Sequence, residues 1–318
     1  MPTTVNVSTS YAGEFAGKYI AAALLSAPTL DKNGVTIIPN VKYKQVVKKV
    51  TSDANLIKDA SCDFTPTGTV SLTERILQPK ELQVNLNLCK STFSSDWEAI
   101  SMGYSAFDTL PKTFSDFLIA HVSEKVAAAT ETSIWSGVAA TSGQFGGFGA
   151  IVSTDALLPA AQEVAGTTVT AANVIEELEK IYKAIPAAVY GSDDLKIYVS
   201  QNIAKSYISA LGGFGASGLG SNGTDNKGTQ WYTNGSLTYG GIPLFVANGL
   251  TANQAIAAQT SNLFFGCGLL NDANEVRLID TSETLGDDNV RVVMRAGYAV
   301  NYHSVSDIVT YGITNSAN

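Results

Sequence analysis

The sequence predicts an α+β fold in which strands and loops are hung on one long helix. Three observations lead there. Thr113 to Trp135 (TFSDFLIAHVSEKVAAATETSIW) carries Phe114, Phe117, Leu118, His121, Val122, Val126 and Ala129 at spacings of three and four, the period of an amphipathic helix. Leu82, Val84, Leu86 and Leu88 alternate with Gln83, Asn85 and Asn87, the period of a half-buried strand. From Asp194 onward, short apolar runs and a helical segment form the pattern of a compact α/β unit.

The helix has its own punctuation. Pro111 stands before it, where a missing N–H is tolerated. Thr113 with Asp116 approximates a capping box, and Gly137 follows as a stop. A helix over 113–135 is roughly 35 Å long at about 1.5 Å per residue.

Composition narrows the function classes. The 318 residues are 45% hydrophobic and only 15% charged, against about 25% charged in an ordinary soluble domain. A surface covered by Ser, Thr, Asn and Gly suits burial against other copies, or an extracellular setting. The net charge is −8 and the pI near 4.8, which argues against a nucleic-acid reader. Lys42, Lys44, Lys48 and Lys49 are the only basic cluster, with no aromatic ladder beside them. Cys62, Cys89 and Cys267 are odd in number and widely spaced, against a disulfide framework or a zinc site. No apolar run of membrane-spanning length occurs, and MPTTVNVSTSYAGEF lacks signal-peptide character. The expectation is folding in the cytoplasm.

Along the chain, residues 1–11 are polar and extended, and 12–26 form a short helix that Pro28 ends. Val41, Tyr43, Gln45 and Val47 alternate with polar neighbours. Paired with 82–88, they predict a long two-stranded arm closed by a structured tip. Such a hairpin is marginal alone, and its edges invite pairing, so it folds back on its own domain or crosses a neighbour. A short helical piece is predicted near 95–102, then the long helix and a glycine loop, SGQFGGFGAI. A second helix starts after Thr170, lined by Val174, Leu178, Ile181 and Ile185, and stops at Pro186. Strand 195–199, helix 201–211, a Gly/Ser/Asn-rich loop 212–236, and strands at 239–246, 262–267, 275–279 and 290–311 complete the chain.

No catalytic constellation stands out. Gly213-Phe-Gly-Ala-Ser-Gly218 matches GxGxxG, but a helix precedes it and a loop follows, the reverse of a dinucleotide site. His121 lies on the apolar stripe of the long helix and reads as packing. His303 has Ser304 and Asp307 nearby without an activated nucleophile. Glu176-Glu177 reads as a solvated helix face and Asp287-Asp288 as a turn. Catalytic residues, metal ligands and cofactors are all expected to be none.

The order of elements carries a resemblance. LTYGGIPLFVANGL (237–250) looks like a tight turn leading through Gly-Ile-Pro into an apolar strand. SNLFFGC (261–267) is similar to the strand that follows it, VRVVMRAGYAVNYHSVSDIVTYG (290–312) to a closing segment, and SLTERILQP (71–79) to the turn of an arm. Together they resemble the HK97-type major capsid protein of tailed double-stranded DNA bacteriophages, over nearly the whole chain. The resemblance implies an HK97-like capsid fold. Residues 1–33 form its N-terminal arm and 34–92 its E-loop β-hairpin. Residues 93–185 form a peripheral domain with spine helix 113–135, and 186–274 an axial α/β domain. Residues 275–318 return to the peripheral domain.

It further implies self-assembly into pentamers and hexamers of an icosahedral capsid enclosing double-stranded DNA without sequence-specific binding, assembled in the bacterial host cytoplasm. The implied partners are other copies, a portal, and separate scaffolding or decoration proteins; no membrane is involved. The sequence begins at Met1 and reaches the arm at once, so scaffolding is expected from a separate protein, or not at all. The arm that touches a neighbour would use Val41, Tyr43, Val47, Arg75, Leu82, Val84 and Leu86. Spine-helix packing would use Phe114, Leu118, Val122 and Val126. The capsomer-centre loop would use Phe214, Trp231 and Tyr232. An encapsulin-type shell, an extracellular β-rich surface protein and a carbohydrate-active enzyme using an acidic pair are the rival readings.

Overall fold

The computed structural model describes residues 28–52, 57, 59, 68–89, 112–212, 237–268, 277–281, 286 and 289–316. The expected N-terminal helix 12–26, most of the arm tip, the helical piece 95–102, and loop 213–236 with Phe214, Trp231 and Tyr232 lie outside these residues, as do the side chains of Phe114 and Leu118.

In chain order the elements are α1 (Pro28–Asp31), β1 (Thr36–Ile38), β2 (Gln45–Ser52), β3 (Val70–Leu77), β4 (Lys80–Cys89), α2 (Lys112–Ser136), α3 (Phe148–Val152), β5 (Glu163–Val164), α4 (Val174–Ala184), β6 (Leu195–Val199), α5 (Gln201–Gly212), β7 (Thr238–Tyr239), β8 (Ile242–Val246), β9 (Ala255–Gln259), β10 (Leu263–Cys267), β11 (Arg277–Asp280), β12 (Asn289–Tyr302) and β13 (Val309–Tyr311).

A six-stranded sheet in the order β5-β13-β9-β6-β8-β7 is covered on both faces. Successive side chains of a strand point to opposite faces, and two separate cores obey that rule. Ile197, Val199, Ala255 and Ala257 join Val174, Leu178 and Ile181 of α4 and Ile203 and Tyr207 of α5. Tyr198, Ile256 and Ala258 face the other way, into a core with Ile134, Trp135 and Phe148. The predicted stripe of the second helix is therefore its buried face. Between β7 and β8 the chain turns on Gly240 and Gly241, both at positive φ, the conformation a two-residue hairpin turn of the primed type demands.

The same chemistry corrects one sequence expectation. Glu177 is not solvated: it is 5% exposed. It accepts a hydrogen bond from the Tyr311 hydroxyl at 2.9 Å and one from Lys180 at 2.8 Å. Burial alone would raise its pKa, but these bonds and one from Thr167 outweigh it and hold the carboxyl below its ordinary value. Strand β13 runs under α4 and supplies the buried partner.

The long helix runs 112–136, one residue beyond the prediction at each end. Among the residues whose side chains are described, its firmest anchorage lies at the C-terminal end. Ile134 and Trp135 are fully buried, and the indole lies 4.8 Å from the Tyr198 ring and 5.4 Å from Phe148. Glu131 is also fully buried. It accepts from the Thr29 hydroxyl at 2.6 Å and the Thr29 amide at 3.3 Å, while Trp135 Nε1 donates to that hydroxyl at 2.8 Å. Burial pushes the Glu131 pKa up, and these bonds offset that only in part. Taken whole, the helix is barely one-sided in hydrophobicity. Its last turns are packed on several sides, by α1, by α3 and by the loop after β8, where Ser136 Oγ donates to the Gly249 carbonyl at 2.6 Å. A helix end enclosed in this way has no solvent face to mark. Val122 is buried as expected, and Val126 is half-buried.

The second sheet is organised by β12. Asn289–Tyr298 pairs antiparallel with Lys80–Cys89. Val290–Val293 also pairs with β11, and Tyr298–Tyr302 with β10. Residues 290–293 and 298 are thus paired twice. It follows that β4 occupies one edge of β12, and β11 and β10 succeed one another along the other. β1 extends the sheet beyond β10 in parallel.

The predicted arm is corrected here. Strand 82–88 is half-buried as its alternation says, with the odd residues Glu81 to Asn87 exposed. Its partner is not 41–47. Leu82, Val84 and Leu86 pair with Ala296, Met294 and Val292 in the body. Leu82 and Val84 line, with Val126 and Ala129 of α2, a narrow apolar slot of about 90 Å³. The hairpin is instead β2 with β3, in register from Gln45↔Leu77 to Ser52↔Val70. SLTERILQP is therefore mostly strand, and the break falls at Gln78-Pro79. Proline has no N–H to give a ladder. Lys80 fixes the new direction by donating to the carbonyls of Ala139 at 2.8 Å and Gln144 at 2.7 Å. Val41 is not an arm residue either. It is 4% exposed, packs with Leu77 and Ala299, and donates from its amide to the Cys267 carbonyl at 3.0 Å.

Candidate functional site: the arm and its seat

The β2–β3 hairpin has two unlike faces, set by which cross-strand pairs fall together. One face carries Val47↔Arg75 and Lys49↔Thr73 and lies over the body. The other carries Val46↔Ile76, Lys48↔Glu74 and Val50↔Leu72, then Val70 opposite Ser52. On that outer face Val50 is 66% exposed and Leu72 55%. The Lys48–Glu74 pair at 3.4 Å is the charged rung between apolar ones. Cross-strand pairs of β-branched and aliphatic residues hold a hairpin together, but a ladder of them facing water marks a surface made to be covered.

The inner face is seated mainly by polar contacts. Arg75 bonds to the Asp155 carboxylate, and its guanidinium stacks 4.4 Å from the centre of the Tyr302 ring. Tyr302 donates to the same carboxylate at 2.6 Å. Lys49 donates to Ser304 Oγ at 2.5 Å and lies 3.9 Å from Asp307. His303 Nε2 donates to the Lys48 carbonyl at 2.6 Å, and Asn301 Nδ2 to the Ile76 carbonyl at 2.9 Å. The seat is thus the end of β12 and the turn after it. Of the histidine, serine and aspartate weighed as a triad, each touches the arm instead. Between arm and body lies an open cleft of about 760 Å³, lined by Lys49, Arg75, Asp155, Tyr302, His303 and Ser304 and on its apolar side by Leu157.

Electrostatics favours the charged form of this seat. Burial would raise the Asp155 pKa, but hydrogen bonds from Tyr302, the Leu157 amide and Arg75 outweigh it and leave the carboxyl below its ordinary value. The Tyr302 hydroxyl is pushed well up, first by burial and then by its bond to Asp155.

One apolar anchor backs the polar ones. Leu77, 1% exposed, lies against Gly266, where an added Cβ would come within 2.6 Å of its methyl. A larger residue in β10 at that point would force the buried Leu77 side chain to shift. Of the residues predicted for the arm, Arg75 and half-buried Val47 are at its seat, and Tyr43 is 71% exposed beside it. Asp155, Asn301 and Tyr302 were missed. They are remote in sequence, and only the lone arginine among lysines hinted at a paired site. Among the described residues no cluster of His, Cys, Asp and Glu is placed to hold a metal, and no helix is long and apolar enough to cross a membrane.

No family model matches the chain, and no curated protein matches it in sequence. The likeness lies in structure. The capsid of a native GTA particle aligns with a TM-score of 0.61 at 12% identity, over 98% of this chain and 95% of that one. A structure from Mycobacterium phage Ogopogo gives 0.57 at 12%, over 93% and 94%. The procapsid of satellite phage P4, which includes a size determination protein, gives 0.54 at 9%, over 88% and 85%. End to end and at identities this low, what the chain shares with these phage and particle capsids is their fold, the HK97-like capsid fold.

Proposed function

We propose that the chain is a major capsid protein, which self-assembles into pentamers and hexamers of an icosahedral shell around double-stranded DNA. The observation that carries this reading is the near-complete coverage in both directions against capsid chains. A fold shared from end to end leaves little of the molecule for another task. The arm supports it from the physics of the single chain. Its base is fixed while its outer apolar ladder has no cover among the described residues, and a neighbouring copy provides that cover. Repeated heterologous contacts of this kind close into rings.

In this reading β2–β3 is the E-loop, α2 the spine, and the six-stranded unit the axial domain, with 212–236 at the capsomer centre and 1–33 as an arm to neighbours. Portal, scaffolding and decoration proteins are the expected partners, and the virion, assembled in the host cytoplasm, is the location. The chain has no catalytic role. The test is to express it alone and with its neighbouring gene, and to view the product by negative-stain electron microscopy. Rings or closed shells are expected. A clean monomer across concentrations from micromolar to millimolar would overturn the reading.

A further inference from the structure

The chain has four arginines, at 75, 277, 291 and 295. Arg75 seats the arm. The other three fall on one face of one sheet. Arg291 and Arg295 are exposed positions of β12, on the face opposite buried Val290, Val292 and Met294. Arg277 pairs with Val293, which stands between them, so it shares their face by register. On the other flank β4 sets Asn87 against Arg291, Asn85 against Val293 and Gln83 against Arg295, all three exposed. Ile279, opposite Arg291 on β11, is 45% exposed. Glu81, opposite Gly297, is the only carboxylate among the described residues at the corner of this face. Among the described residues, neither Arg291 nor Arg295 has a carboxylate within ion-pair reach.

We infer that this arginine–amide face is a contact surface for carboxylates of a second copy of the chain. The inference rests on the self-assembly proposed above and says where one of its contacts lies. The first reason is charge. Copies with a net charge of −8 repel one another. Association is favoured where cations meet the surplus carboxylates of the next copy, and Arg291 and Arg295 are exposed cations with no ion-pair partner among the described residues. The second reason is residue type. Sixteen of the twenty basic residues are lysine. The guanidinium fork, which grips a carboxylate bidentately and is less costly to desolvate than an ammonium, is concentrated on this face.

The third reason separates a protein from a duplex. Arg291 and Arg295 are roughly 14 Å apart at about 3.4 Å per strand residue, and Val293 and Ile279 lie among them. Arginine around an apolar centre is the make-up of a protein interface. A duplex would offer nothing to those apolar groups, and three cations release few counterions against the field of an acidic chain.

The test compares the full-length chain with R291Q/R295Q, by sedimentation velocity and negative-stain microscopy over a concentration series. Circular dichroism and the thermal midpoint should be unchanged, since both side chains are exposed. The concentration for half-assembly should rise about tenfold or more in the variant, and wild-type assembly should weaken between low and high salt. Wild-type shells with an equally competent variant would sink this inference and leave the capsid reading standing. A wild type that never assembles would sink both. A 24-base-pair duplex, followed by fluorescence anisotropy at about 20 mM salt, is the second arm. If wild type bound it and the variant did not, while both assembled alike, the face would belong to nucleic acid and the inference would fail.

Discussion

The arm and the six-stranded unit use the same β chemistry to opposite ends. In β6 and β9 both sets of alternating side chains are buried, one set in each core. In β2 and β3 one set meets a polar seat and the other meets water. The first arrangement makes a rigid block whose stability is its own. The second makes an element that is held in place but finished only by something outside the chain. An element with few apolar contacts and a polar seat opens at lower free energy than a doubly buried strand.

The largest expected effect breaks the block. Ile197→Ala, at a fully buried position of β6, should destabilise the folded chain by about 2–5 kcal/mol in urea titration. Val50→Ala on the arm should change it by no more than about 0.5 kcal/mol. Equal losses would erase the distinction between the two regions. Next is a separation of folding from assembly. Replacing 53–69 by Asn-Gly, which keeps β2, β3 and the Leu77 anchor, should leave the thermal midpoint nearly unchanged and stop shell closure in micrographs. Normal shells from that variant would take the assembly role away from the arm.

A smaller effect sharpens what the seat does. Asp155→Asn should lower the opening free energy of the β2–β3 amides by about 1–3 kcal/mol, read by hydrogen exchange, with β6 and β9 unaffected. The pH dependence has a definite sign. The folded pKa of Asp155 lies below its ordinary value, so its contribution is fully present above about pH 5. It is lost as pH falls past the ordinary carboxylate range and through the folded pKa. Arm amides should then lose protection ahead of the axial sheet on acidification, and the Asn variant should show no such difference. Smallest of all for the isolated chain is Leu72→Ala, which should be silent in unfolding yet raise the concentration needed for assembly.

Much of this was legible in local sequence, wherever one period met one environment. The second helix showed its stripe because α4 has one buried face. Strand 82–88 showed its alternation because β4 has one exposed face. The Gly240-Gly241 turn was legible because few residues tolerate its backbone. Pairing was not legible. Strands 45–52, 70–77 and 80–89 all have plausible partners nearby, and nothing local says that β4 leaves the arm at Pro79 to join β12, two hundred residues on. Glu177 was misread because its partner Tyr311 comes from the far end of the chain.

The sequence by itself determined the kinds of element, most of their limits, and the α+β class. Those follow from backbone conformational preference and the periods of apolar residues, which act over a few residues. The tertiary structure alone decided that the long helix is gripped at Ile134 and Trp135, that Asp155 and Tyr302 hold Arg75, and that three arginines share one face. Those depend on register between distant strands. Register is chosen by the summed fit of many side chains, and no single segment contains that information.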